Sequence, residues 1–96
     1  MLHTLTRSPQ GGVDFTALAA LVRPGDALVL LQDGVLCALT GSPGLTALSA
    51  MPVALYVLRE DVLARGLTAY VAPTCQLIGY GEFVTLSEAH SRQMAW

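Results

Sequence analysis

The chain has 96 residues, of which 53% are hydrophobic and 12% charged, and its formal net charge is −2 at pH 7. That length leaves no room for two self-sufficient cores, so one domain over residues 1–96 is expected; five scattered arginines without a lysine exclude the basic stripe that direct nucleic-acid binding draws on. Ordinary soluble domains carry about a quarter charged residues, so part of the apolar complement must lie on the surface, where such patches mark interfaces.

In chain order, Met1 to Thr6 alternates apolar and polar residues as a first strand does, and Ser8-Pro9-Gln10-Gly11-Gly12 breaks it. Asp14 is placed to cap a helix with Phe15, Leu18, Leu21 and Val22 inward, stopped by Pro24-Gly25. The second strand, Ala27 to Leu31, is apolar throughout and runs straight into Gln32-Asp33-Gly34. This is the pattern of a strand buried on both faces whose carboxyl end opens onto a crevice, the place where parallel-sheet proteins build sites.

Asp33 is then placed to cap a short helix through Val35, Leu36 and Leu39 that ends at Gly41-Ser42-Pro43-Gly44. Leu45 to Ser49 forms another turn, and Val53 to Leu58 is the third strand. Arg59-Glu60-Asp61 opens a helix through Leu63 and Ala64 that Gly66 closes. Leu67 to Thr74 reads as irregular, Gln76 to Ile78 as a fourth strand, Gly81 to His90 as a helix with Phe83, Val84 and Leu86 inward, and Gln93 to Trp96 as a last strand. The alternation predicts an α/β fold: a small three-layer α/β/α domain with a mostly parallel sheet of about five strands, free of internal repeats and linkers.

A mean hydropathy of +0.55 raises the question of membrane insertion, which requires about 18 or more consecutive apolar residues. The longest apolar runs here are strand-length, and polar residues from His3 to Ser8 interrupt any export signal, so the cytoplasm is the expected location. Cys37 and Cys75 allow one bridge at most, and reduced thiols are the simpler reading.

Cys37 is the candidate for persulfide chemistry, because it follows the Asp33-Gly34 turn near a helix start; its neighbours Leu36, Ala38 and Leu39 favour a buried neutral thiol instead. Cys75 follows Pro73-Thr74 in an expected loop and reads as the more exposed of the two, without a visible activating base. His3, His90 and the cysteines are too widely spaced for a structural metal site, so no metal is expected. Gly79-Tyr80-Gly81 is an isolated G-x-G, and no nucleotide or other cofactor is implied. Asp33 has the chemistry of a general base, but helix capping is the commoner role there. Met94 and Trp96, at the end of a strand, are residue types enriched in buried interface centres, and a core plug is the equal alternative for Trp96.

Four segments carry a signature: Met1-Leu2-His3-Thr4-Leu5 with Arg7-Ser8-Pro9; Leu30-Leu31-Gln32-Asp33-Gly34-Val35; Asp61 with Ala64-Arg65-Gly66-Leu67; and Gln93-Met94-Ala95-Trp96. Together they resemble the TusB/DsrH family from the first residue to the last. The resemblance implies a DsrE-like α/β subunit whose last strand lies beside its first. It also implies TusC- and TusD-like sister subunits, joined in a dimer of heterotrimers that relays persulfide sulfur toward 2-thiolation of the wobble uridine of certain tRNAs, with tRNA engaged only through the pathway.

In that family the sulfur-carrying cysteine belongs to the D-type subunit, and some DsrH-type members from sulfur oxidisers carry one in the first helix. The stretch Phe15 to Val22 contains none, so Cys37 and Cys75 inherit no family role and the resemblance leans toward tRNA thiolation. The expected function is a non-catalytic subunit that contacts its sisters through Gln32, Asp33, Gly34, Met94 and Trp96 and self-associates when alone. The alternatives are a DsrH-type subunit of dissimilatory sulfur oxidation, a direct persulfide carrier through Cys37, and a stand-alone homo-oligomeric binding module.

Overall fold

The computed structural model describes residues 1–96. Five short strands, β1 (Leu2–Leu5), β2 (Ala27–Leu30), β3 (Ala54–Leu58), β4 (Gln76–Ile78) and β5 (Gln93–Ala95), form one sheet in the order β4-β3-β2-β1-β5. Every pairing is parallel, with Leu2 opposite both Ala27 and Gln93, and Ala27 opposite Ala54. The last strand thus lies beside the first, as the resemblance implied.

The topology decides which face each helix covers. From β1 to β4 the chain steps one strand at a time in the same direction, so right-handed crossovers put all the intervening helices on one side of the sheet. These are α1 (Phe15–Leu21), α2 (Pro43–Ser49) and α3 (Arg59–Ala64), together with a 3₁₀ stretch, Gln32–Ala38. The return from β4 to β5 runs the other way and lays α4 (Tyr80–Ala89) across the opposite face.

Side-chain alternation along the strands fills both layers. Leu5, Leu28, Leu30, Leu55 and Val57 pack with Leu18, Val35, Leu48 and Val62 in the larger core, whereas Leu2, Ala27, Val29 and Ile78 form a smaller one that Phe83 and Leu86 cover. All four residues of β2 are buried, which accounts for its unbroken apolar run.

Several expectations need correction. Asp14 does cap α1, accepting from the Ala17 N–H at 2.9 Å, but Asp33 caps nothing: Leu31 holds the N-cap position without a side-chain bond, and Asp33 falls in the first turn of a 3₁₀ rather than an α segment. The turn predicted at Leu45 to Ser49 is an α-helix that starts at Pro43, where a missing N–H costs nothing at the first helical position. Leu21 and Val84 point outward, with Val84 53% exposed. On α4 the inward stripe is Phe83 with Leu86, and Val84 shares the outer side with Tyr80, four residues earlier. The stretch from Leu67 to Thr74 is more ordered than its composition suggests, with a 3₁₀ turn at Thr68–Tyr70 and a bridge from Val71 to Leu39.

Candidate functional site

Where β2 ends, the backbone makes an abrupt change of direction. Gln32 takes φ of 53°, the left-handed region, and is the one non-glycine residue that does so. Its N–H donates to Asp61 Oδ2 at 2.6 Å, which ties the turn to the first turn of α3. One residue on, Asp33 Oδ1 accepts from Arg65 Nη2 at 3.0 Å, while Arg65 Nη1 donates to the Asp61 carbonyl at 3.2 Å. Gly34 completes the turn from below: a Cβ at this position would run into the Leu5 carbonyl oxygen at the end of β1. Three segments of the sequence signature therefore meet at the carboxyl edge of the sheet and fasten one another. Gln32 and Asp33 keep their side chains in solvent, whereas Gly34 is buried and presents no surface.

A second polar cluster lies across β1, β2 and β5. His3 is fully buried and uses both ring nitrogens: Nε2 lies 3.1 Å from Asp26 Oδ2, and Nδ1 lies 3.1 Å from the Trp96 indole Nε1. An indole N–H can only donate, so the Nδ1 lone pair accepts it and the ring proton sits on Nε2, donating to Asp26. Asp26 also accepts from the Met1 α-ammonium at 2.8 Å and from the Arg23 backbone N–H at 3.0 Å. The ammonium first, with His3 and the Arg23 amide adding to it, holds the Asp26 carboxyl well below the usual carboxylate range against the opposing effect of burial. Trp96 is anchored by its own N–H to the Thr4 carbonyl at 2.8 Å, and its side chain packs against the larger core.

Both thiols are in that same core. Cys37 is fully buried, and burial first, with Cys75 nearby, pushes its thiol up to about 11. Cys75 is buried too, contrary to its expected exposure, and burial raises it despite a hydrogen bond with Thr74. The loop that carries it is pinned by the Ala72 N–H donating to the Ala38 carbonyl at 2.8 Å. The surface has three shallow grooves, and the only charged side chain lining any of them is Glu82. No helix is long and apolar enough to cross a membrane.

The family model described as "DsrH like protein" matches residues 7–93. The chain belongs to the DsrH family. Protein TusB of Sodalis glossinidius is 48% identical over 96 residues and Protein TusB of Escherichia coli K12 is 49% identical over 96 residues, each alignment covering 100% of both chains. The solution NMR structure of protein Tm0979 from Thermotoga maritima superposes with a TM-score of 0.67 at 26% identity, covering 96% of this chain and 97% of that one. The family membership implied by the sequence resemblance thus holds.

In this DsrH-family chain the candidate contact residues occupy two flanks of one sheet end. Gly34 abuts Leu5 on one side of β1, and Trp96 bonds to Thr4 on the other. Met94 is 38% exposed on the edge strand, whereas Trp96 is half-buried by its bond to His3. Composition and spacing missed Asp61, Arg65 and Asp26 as partners of these residues. The sole advance sign for the first two was that Asp61 and Arg65 belong to the DsrH signature; for Asp26 there was none, because an aspartate before a strand looks like any turn residue.

Proposed function

We propose that the chain is a non-catalytic structural subunit of a sulfur-relay complex, held by TusC- and TusD-like sister subunits in a dimer of heterotrimers that passes persulfide sulfur toward 2-thiolation of tRNA wobble uridine. The observation that carries this reading is the state of its only two thiols. Sulfur transfer needs an accessible thiolate, and Cys37 and Cys75 are buried, neutral at physiological pH and without a neighbouring base. The DsrH membership supports the pathway, and the absence of a cysteine from α1 favours the tRNA branch over sulfur oxidation. The work of this subunit is then to shape the assembly in the cytoplasm, with Gln32, Asp33 and Met94 offering the contacts while Gly34 and Trp96 set their positions.

The test is co-expression with the two sister subunits. Asp33→Ala and a truncation lacking Met94 to Trp96 are expected to weaken co-purification, and Cys37→Ser is expected to leave both co-purification and cellular 2-thiouridine unchanged. A gain of one sulfur mass on Cys37 after incubation with a persulfide donor, together with loss of 2-thiouridine in Cys37→Ser cells, would instead establish the carrier reading.

A further inference from the structure

His3 and Trp96 form a contact that a single proton can break, and we propose that protonation of His3 releases the Trp96 side chain from the sheet, so that the placement of the last strand's end depends on pH. His3 has no spare nitrogen: Nε2–H donates to Asp26 Oδ2, and Nδ1 receives the Trp96 indole N–H. A second ring proton must go on Nδ1, which would set two N–H donors 3.1 Å apart with no acceptor between them. One of the two has to move.

The surroundings select Trp96 as the one that moves. His3 is fully buried on β1, which is hydrogen-bonded on both sides, to β2 and to β5. Its charged form also gains from the Asp26 carboxylate, which stays put because the Met1 ammonium and the Arg23 N–H hold it. Trp96 follows an edge strand of three exposed residues and is itself half-buried. The charged groups that face His3 are Asp26 and, behind it, the Met1 ammonium; β5 presents only the uncharged indole, and no arginine or other acidic side chain bonds to the imidazole. Acidification therefore exchanges a neutral indole contact for an ion pair with Asp26 and frees the ring next to Met94. If Met94 and Trp96 help to hold a sister subunit, as in the reading above, the same proton loosens that contact.

Trp96 is the one tryptophan in the chain, so 5-fluorotryptophan labelling gives a single ¹⁹F signal, readable in the isolated chain and within an assembly in which only this subunit is labelled. The labelled chain is acidified stepwise for as long as the native fold persists. The expected result is a step in the ¹⁹F shift with a severalfold rise in solvent access of the indole, coincident with Nδ1 protonation followed by ¹⁵N NMR of histidine, at constant far-UV circular dichroism. His3→Gln, which keeps a donor toward Asp26 and cannot titrate, is expected to remove the step. Three outcomes overturn the inference: Nδ1 protonation while the indole signal stays still, a step that persists in His3→Gln, or a circular dichroism change in parallel. Because this readout needs no sister subunit, its failure leaves the scaffold reading standing, and failed co-purification does not touch it.

Discussion

Gly34 is pressed so closely against the Leu5 carbonyl that a single methyl group has nowhere to go. Gly34→Ala is therefore expected to lower stability by about 2 kcal/mol or more, the scale of overpacking in a rigid site, seen as a lower urea midpoint. At Asp26 the consequence is a pH dependence. Its carboxyl titrates lower in the folded chain than the roughly 3.9 of an unfolded one. The stability it adds is complete above about pH 4 and is lost as pH falls toward the folded value, because the unfolded chain takes up the proton first. Denaturation midpoints of the parent and of Asp26→Asn should differ most at neutral pH and converge in acid. Cys37 has the opposite sign. With its thiol raised from 9.0 to about 11, the unfolded chain loses the proton first, so stability declines as pH climbs above 9.0, and Cys37→Ala should flatten that decline. The raised value leaves much less thiolate, which iodoacetamide labelling of native against urea-unfolded chain would expose as a slower native reaction.

At the scale of elements, the junction between the 3₁₀ stretch and α3 rests on one carboxylate. Asp61 satisfies a backbone N–H that the left-handed geometry of Gln32 leaves without a ladder partner. Asp61→Ala should cost about 1 kcal/mol, the usual net worth of such a bond, and speed hydrogen exchange at Gln32 above its neighbours. Arg65→Met should change stability by no more than about 0.5 kcal/mol, since the Asp33 pair is solvent-screened. Equal effects from the two substitutions would mean that the ion pair, and not the backbone bond, holds the turn. Most elements were legible because β2 and β3 are strand-length apolar runs and Asp14 is followed by apolar positions in helical spacing. The capping role read for Asp33 failed because the segment after β2 already starts at Gln32, so Leu31 takes the N-cap position and Asp33 lies inside the first turn, where its carboxylate meets Arg65, 32 residues on.

At the scale of the whole molecule, low charge and short helices have a joint outcome. Six large apolar side chains, Leu21, Leu63, Tyr70, Tyr80, Val84 and Met94, stand exposed on α1, α3, the Thr68–Tyr70 turn, α4 and β5. Composition had required apolar surface without saying where. Alone, the chain is expected to elute as concentration-dependent oligomers, and sister subunits are expected to bring it into a single species of fixed size. A sharp monomer peak at all concentrations in light scattering would count against the scaffold reading.

The order of residues along the chain was sufficient for the α/β class and the parallel sheet, because strand burial and helix periodicity are local patterns that one chain displays unaided, and the family followed from the resemblance of its four signature segments. Only the tertiary structure decided that Cys75 is buried, that Val84 faces outward and that Asp33 serves Arg65. It alone joined Met1, His3, Asp26 and Trp96, residues from the two ends of the chain and from the turn before its second strand. Hydrogen-bond partners separated by 23 to 93 positions leave no local periodicity. They are set by the strand order that places β1 between β2 and β5, and that order is a property of the folded sheet.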